Sequence, residues 1–283
     1  MSAIERRLCN LRHVALDMDG TIYRGGQLFD TTLPFLQLLV DHGIGYSFIT
    51  NNCSHARSED VTHLGGMGVV AAPEQILTSA DATIAYLQRE RADLRCLYVV
   101  GTESLRAEFA AAGLRIASYD EEPDAVVVGF DTALRYENLC RATYWVREGK
   151  PYFATHPDAF CPSDAPLVLV DCGAVCACIE SATGRAPDAV LGKPHPRMLD
   201  PVLQRHQLTA DRIAMVGDRL YTDMAMARDA GVLGVLVQTG DSVTGAGDAK
   251  APTPDLVVPG LAEFGEAIAT AQDPGKSSTS TFP

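Results

Sequence analysis

Short apolar runs that stop at a glycine or a small polar residue, alternating with stretches of helical periodicity, restrict this chain to one kind of architecture. Val14-Ala15-Leu16, Cys96-Leu97-Tyr98-Val99-Val100, Ala125-Val126-Val127-Val128, Ile213-Ala214-Met215-Val216 and Gly234-Val235-Leu236-Val237 are continuous rather than alternating. Strands of that kind must be covered on both faces, and strands joined through helices run parallel. Helices are expected from about Thr31 to Asp41-His42, with Pro34 in the first turn and Gly43 closing it. Others are expected at Ser79 to Arg89, Glu103 to Ala112 closed by Gly113, Tyr136 to Glu148 and Gly173 to Thr183. The fold class read from this pattern is α/β with doubly wound parallel sheets.

Several strand ends carry side chains suited to chemistry. Val14-Ala15-Leu16 leads into Asp17-Met18-Asp19-Gly20-Thr21, two carboxylates two residues apart before a glycine turn. They share a face only if the strand continues through both, and they then need a cation, a proton or strong hydrogen bonds to coexist. Ser47-Phe48-Ile49 ends in Thr50-Asn51-Asn52, small polar groups suited to an oxyanion. Gly192-Lys193-Pro194 offers an ammonium at a chain break, and Ile213 to Val216 ends in Gly217-Asp218, followed by Thr222-Asp223. Taken singly, each also reads as an ordinary helix cap, turn residue or solvated charge.

In chain order, D-x-D-G-T, T-N-N, G-K-P and G-D-x-x-x-T-D resemble the four motifs of the haloacid dehalogenase superfamily, its phosphatases in particular. Between Thr21 and Ile49 there is room for a hairpin around Arg24-Gly25-Gly26 and one helix. Between Thr50 and Lys193 lie about 140 positions, enough for a further folded unit. Within the superfamily that interval is similar to subclass IIA, with a large α/β cap, the group of 4-nitrophenylphosphatases, phosphoglycolate phosphatases and NagD-like proteins. The resemblance runs from about Leu11 to Phe264. It implies a Rossmann-like core at 1–79 and 188–270, the latter resuming with Ala189-Val190-Leu191, and an inserted α/β cap domain at 80–187. Residues 271–283, rich in Ser, Thr, Pro and Gly, read as a disordered tail.

The roles implied by the resemblance are specific. Asp17 is the nucleophile that becomes an aspartyl-phosphate, and Asp19 is the acid and then the base. Thr50, Asn51, Asn52 and Lys193 hold the phosphate. Asp17, Asp218 and the Asp19 backbone carbonyl hold Mg2+, with Asp223 behind them orienting waters or Lys193. The activity implied is hydrolysis of small phosphate monoesters. Halide displacement by the same nucleophile needs neither Asp19 nor Asp218, and a scaffold with a disused site needs none of these groups intact.

Composition bounds the partners. A formal charge of −13 over 283 residues opposes nucleic-acid binding, and any anionic substrate must meet local positive charge from a cation, Lys193 or backbone N–H groups. No apolar run approaches the roughly 18 residues of a membrane span, and Met1 to Asn10 lacks the apolar stretch of a secretory signal, so a cytoplasmic protein is expected. Eight cysteines scattered through apolar segments read as reduced thiols. Cys172-x3-Cys176-x-Cys178 invites a zinc reading, but its setting is an apolar helix where cysteine acts as a small hydrophobe.

In the lid, Gly129-Phe130-Asp131, Tyr136-Glu137-Asn138-Leu139, Thr155-His156-Pro157-Asp158 and Ala182-Thr183-Gly184-Arg185 also resemble this group. Two places depart from it. His156 stands where the group usually has Asn, and Val170-Asp171-Cys172-Gly173 stands in place of a glycine-rich turn. His156 reads either as a substrate contact or as a loop histidine bonded to backbone, and Asp171 as a helix cap. Caps of this kind imply a compact phosphorylated metabolite as substrate and a homodimer formed through the cap.

Overall fold

A computed structural model describes residues 1–161, 167–240 and 252–272. The chain begins with α1 (Ala3–Asn10), β1 (His13–Leu16), the hairpin strands β2 (Tyr23–Arg24) and β3 (Gln27–Leu28), α2 (Thr32–Asp41), β4 (Gly45–Thr50) and α3 (Arg57–Gly66). It continues through β5 (Ile76–Thr78), α4 (Ser79–Glu90), β6 (Cys96–Val100), α5 (Glu103–Ala111), β7 (Arg115–Ile116), β8 (Ala125–Val128), α6 (Tyr136–Arg147) and β9 (Tyr152–Ala154). Then come β10 (Phe160–Cys161), β11 (Leu169–Val170), α7 (Cys172–Thr183), β12 (Ala189–Val190) and α8 (Asp200–His206). The last elements are β13 (Ile213–Gly217), α9 (Ala225–Ala230), β14 (Leu233–Val237), β15 (Leu256–Val258) and α10 (Leu261–Gln272).

Two compact units result. Of the described residues, the first holds Met1–Ile49, Met67–Val69 and those from Leu199 onward, and the second holds Thr50–Gly66 and those from Val70 to Met198. The expected borders at 79/80 and 187/188 both fall inside the second unit. Of the expected tail, Ala271 and Gln272 are the end of α10, and 273–283 lie outside the described residues. Among the described residues no helix is long and apolar enough to cross a membrane.

In the first unit the strands run β15-β14-β13-β1-β4, all parallel. Their burial explains the continuous apolar pattern: β1, β13 and β14 are buried at every position. Phe35 of α2 meets Phe264 of α10, with ring centroids 5.7 Å apart, in the layer that covers the sheet. The connection from β1 leads to β4 on one side, whereas β13 lies on the other. That reversal is a topological switch point, and α/β sheets bind ligands at the carboxyl ends of the strands flanking one. Asp17 follows β1 and Asp218 follows β13.

In the second unit the sheet order is β12-β9-β8-β6-β7, again parallel. Alternate residues feed two cores. Tyr98, Val100, Val126 and Val128 pack with Trp145, Tyr152 and Ile179, while Leu97, Val99, Ala125 and Val127 pack with Phe109 and Phe153. Each fully buried Val, Leu or Phe contributes about 1.5–3 kcal/mol.

Ala189-Val190 does not resume the first unit's sheet as expected. It pairs with β9, Ala189 opposite Phe153 and Val190 opposite Ala154. Bonds flanking the pair fix that register: Tyr152 N–H donates to the Asp188 carboxylate at 2.8 Å, and Leu191 N–H to the Ala154 carbonyl at 3.1 Å. All eight cysteines are free, and Cys172 and Cys176 of α7 belong to the apolar core, as small hydrophobes do.

Candidate active site

Asp17 stays in sheet register beyond the end of β1, its N–H donating to the Val216 carbonyl at 2.9 Å. The strand does not continue through Asp19. The chain turns back instead, with Ile22 N–H on the Met18 carbonyl at 2.9 Å, Gly20 N–H on the Tyr23 carbonyl at 2.8 Å, and Gly20 at φ 85°. Asp17 is consequently 7% exposed, whereas Asp19 bridges to Tyr23 and is only half-buried. The Thr21 hydroxyl donates to Asp17 Oδ2 at 3.4 Å.

Asp218 and Asp223 are both buried. Asp223 Oδ2 accepts from Arg219 N–H at 3.1 Å, and its own N–H donates to the Arg219 carbonyl at 3.1 Å, closing the wide turn Leu220–Met224 that precedes α9. Glycines make room for these carboxylates. A Cβ on Gly20 would lie 2.6 Å from Asp218 Oδ2, and one on Gly217 would lie 2.3 Å from Asp223 Cγ. Gly240 belongs to the same cradle, and the preceding Thr239 ties it down by donating its hydroxyl to the Gly20 carbonyl at 2.6 Å.

Asp17, Asp218 and Asp223 each bring a carboxylate oxygen within 4.8 Å of the other two. At an effective dielectric near 20, each ionised pair at that spacing repels by about 3–4 kcal/mol. A hard divalent cation offsets this, and three carboxylate oxygens are the donor set such an ion prefers. The residues present therefore fit a magnesium or calcium ion. Asp223 joins the group directly, although the resemblance implies a place behind it. The Asp19 side chain is outside the group, and the resemblance assigns Asp19 to the ion only through its backbone carbonyl.

The remaining expected site residues lie in the second unit. Thr50 ends β4, and its hydroxyl oxygen accepts from Asn52 N–H at 3.1 Å. Asn52 Oδ1 accepts from Ser54 N–H at 2.9 Å and from its hydroxyl at 2.7 Å, which shapes the loop. Lys193 is 3% exposed. Asn51 grips its backbone from both sides, Oδ1 accepting from Lys193 N–H at 2.8 Å and Nδ2 donating to the Lys193 carbonyl at 3.1 Å. Nδ2 also donates to Asp158 Oδ2 at 2.9 Å. Both amide protons are thereby engaged, so any bond from Asn51 to phosphate comes from its backbone N–H.

His156 is fully buried, and its ring bonds to side chains rather than to backbone: Nε2 meets Asp171 Oδ1 at 2.9 Å and Nδ1 meets Thr155 Oγ1 at 2.9 Å. Enclosure on this scale does not suit the substrate contact read from sequence. Asp171 caps α7, accepting from Cys172 N–H at 2.6 Å. Sequence reasoning missed Ser79, Asp158, Thr239 and Gly240. Asp158 stands in a lid segment already read as resembling the group, and Thr239-Gly240 carried a usable signal, a small polar residue and a glycine just past an apolar strand.

Comparisons with known proteins converge on one family. A sequence profile described as haloacid dehalogenase-like hydrolase matches residues 14–115, and one described as HAD-hydrolase-like matches 190–264. An acid sugar phosphatase of Staphylococcus haemolyticus is 35% identical over 231 residues, covering 82% of this chain and 86% of that protein. The crystal structure of a 4-nitrophenylphosphatase from Thermotoga maritima matches with a TM-score of 0.85 at 36% identity, covering 93% of this chain and 99% of that one. A glycerol phosphate phosphatase of Mycobacterium tuberculosis, solved in complex with magnesium, matches with a TM-score of 0.80 at 29% identity over 93% of this chain and 77% of that one.

Proposed function

The chain belongs to the haloacid dehalogenase-like hydrolases, in the group of 4-nitrophenylphosphatases and NagD-like proteins, and we propose that it is a magnesium-dependent phosphatase forming an aspartyl-phosphate at Asp17. The observation that carries this reading is the buried group Asp17, Asp218 and Asp223, and the D-x-D-G-T resemblance gives Asp17 the nucleophile's role. Asp17, Asp218 and Asp223, with the Asp19 carbonyl, would hold the ion. Magnesium, when bound, offsets the charge of the carboxylates and of the phosphoryl oxygens.

The chain's own residues do the rest. One Asp17 oxygen attacks phosphorus as the bond to the ester oxygen breaks, while the Thr21 hydroxyl steadies Oδ2. Asp19 gives its proton to the departing alkoxide, then takes one from water, which attacks the acyl phosphate and releases inorganic phosphate. Lys193, the Thr50 hydroxyl and the Asn51 backbone N–H neutralise the three equatorial oxygens. We assign the cap role to residues 80–187, with a homodimer formed through them. The substrate is a compact phosphorylated metabolite, a class that includes the sugar and glycerol phosphates in the names of the relatives above. Hydrolysis of a chromogenic aryl phosphate should require magnesium and stop on chelation. Turnover indifferent to chelator, or no turnover of any phosphate ester, would contradict the reading.

A further inference from the structure

We propose that the buried pair His156–Asp171 is a positioning device for Lys193, acting through Ser79 and Asn51, an inference that rests on the phosphatase reading for its catalytic consequence. The connection is continuous and lies wholly within the second unit. Asp171 Oδ1 accepts from His156 Nε2 at 2.9 Å, His156 Nδ1 faces Ser79 Oγ at 3.4 Å, and Ser79 donates its hydroxyl to the Asn51 carbonyl at 2.7 Å. Asn51 then clamps both backbone polar groups of Lys193. Space is as restricted as the bonding. A Cβ on Gly192 would fall 2.6 Å from Asn51 Oδ1, 2.6 Å from the Thr155 carbonyl and 2.8 Å from Ser79 Cβ.

The relay calls for a particular state of the ring. Ser79 has one hydroxyl proton, committed to the Asn51 carbonyl, so it receives a bond from His156 Nδ1. Thr155 Oγ1 lies 2.9 Å from Nδ1, 3.5 Å from Cys53 Sγ and 3.8 Å from Cys172 Sγ. Cys172 is itself a thiol, since its S–H donates to the Val128 carbonyl at 3.2 Å. On the other side Nε2 faces a carboxylate that already accepts from Cys172 N–H. With Nδ1 donating to Ser79 and Nε2 to Asp171, His156 would be an imidazolium enclosed in the protein, the state the proposal requires. Burial disfavours the charged ring, and the Asp171 carboxylate beside Nε2 favours it. An asparagine at 156 could not carry this charge. The Asp171 cap, the other departure from the family pattern, is its counter-ion.

The test uses the full chain with histidine ring nitrogens labelled for NMR, together with steady-state hydrolysis of an aryl phosphate and a sugar phosphate at saturating magnesium. His156 should show two imidazolium-type ring nitrogens at pH 7.5. Ser79→Ala removes one hydroxyl without touching the Thr78 cap of α4. It should lower kcat/KM about tenfold on both esters, as loss of one buried hydrogen bond does, and leave half-saturating magnesium unchanged. It should also speed hydrogen exchange at the Lys193 amide. His156→Gln should act in the same direction, and the double variant should lose less than the product of the single losses. A neutral His156 ring, or Ser79→Ala with unaltered kcat/KM and Lys193 exchange, would overturn the proposal. If wild-type protein hydrolysed no phosphate ester, the phosphatase reading would fail, and the ring nitrogens and the Lys193 amide would still decide whether the relay exists.

Discussion

Gly217→Ala probes the metal group without removing any carboxylate. The new Cβ would lie 2.3 Å from Asp223 Cγ and Oδ2 and 2.5 Å from its Cβ. Ordinary contacts between such atoms begin near 3.5 Å, so the Asp223 carboxylate must retreat by about 1 Å. Asp223 is fully buried and tied to Arg219 N–H, which leaves little room for a harmless swing. Divalent ions tolerate ligand displacements of roughly 0.2 Å, so a retreat of this size removes Asp223 from the ion's reach. The expected result is a rise of about 10–100-fold in half-saturating magnesium. Overpacking should also lower stability by about 1–3 kcal/mol. Initial rates on an aryl phosphate across a magnesium series, with a thermal melt on the same protein, measure both. A folded variant with half-saturating magnesium within twofold of wild type would refute the assignment of Asp223 to the ion.

Asp19→Ala should lower turnover by about 10²–10⁴, most for poor leaving groups, whereas Asp218→Ala should chiefly weaken magnesium binding; full rescue of Asp19→Ala by added magnesium would reverse these roles. Gly192→Ala should lower kcat/KM by at least tenfold on every ester with an unchanged magnesium requirement, because its Cβ collides with the backbone carbonyl of Thr155; losses confined to one substrate would contradict this. Asp60 of α3 is pushed up to about 7 by burial, then by Glu108 and Glu59. The folded state thus keeps a proton that the unfolded state releases near pH 4, and stability falls as pH rises from about 4 to about 7. Asp60→Asn should flatten that slope, gaining roughly 2 kcal/mol at pH 8 after allowance for solvent screening, and little at pH 4. Denaturant melts at the two pH values check it, and an unchanged slope would refute it.

The parts legible in sequence are those fixed by local pattern. Strands β6 and β8 announce themselves because five and four consecutive apolar residues must be covered on both faces. Asp17 and Asp218 stand out because each follows such a run at a turn. The parts that were not legible depend on distant partners. Ala189-Val190 is apolar enough for either sheet, and the bonds between Asp188 and Tyr152, 36 positions away, decide which one it joins. Asn51 looks like a phosphate ligand until its side chain is found clamping Lys193, 142 positions on. His156 reads as a loop residue because nothing near it in sequence reveals that Asp171 and Ser79 close around it. Strands β2, β3, β10 and β11 have two residues each, too short for any periodicity to declare.

Rapid acid quench of the enzyme during turnover, followed by borohydride reduction and peptide mass spectrometry, tests the central claim most directly. Reduction converts an aspartyl-phosphate to homoserine, so the account predicts homoserine at position 17, formed only with magnesium present and absent when the enzyme is quenched without substrate. Turnover with no modification at Asp17, or a reducible acyl phosphate at another carboxylate, would contradict it.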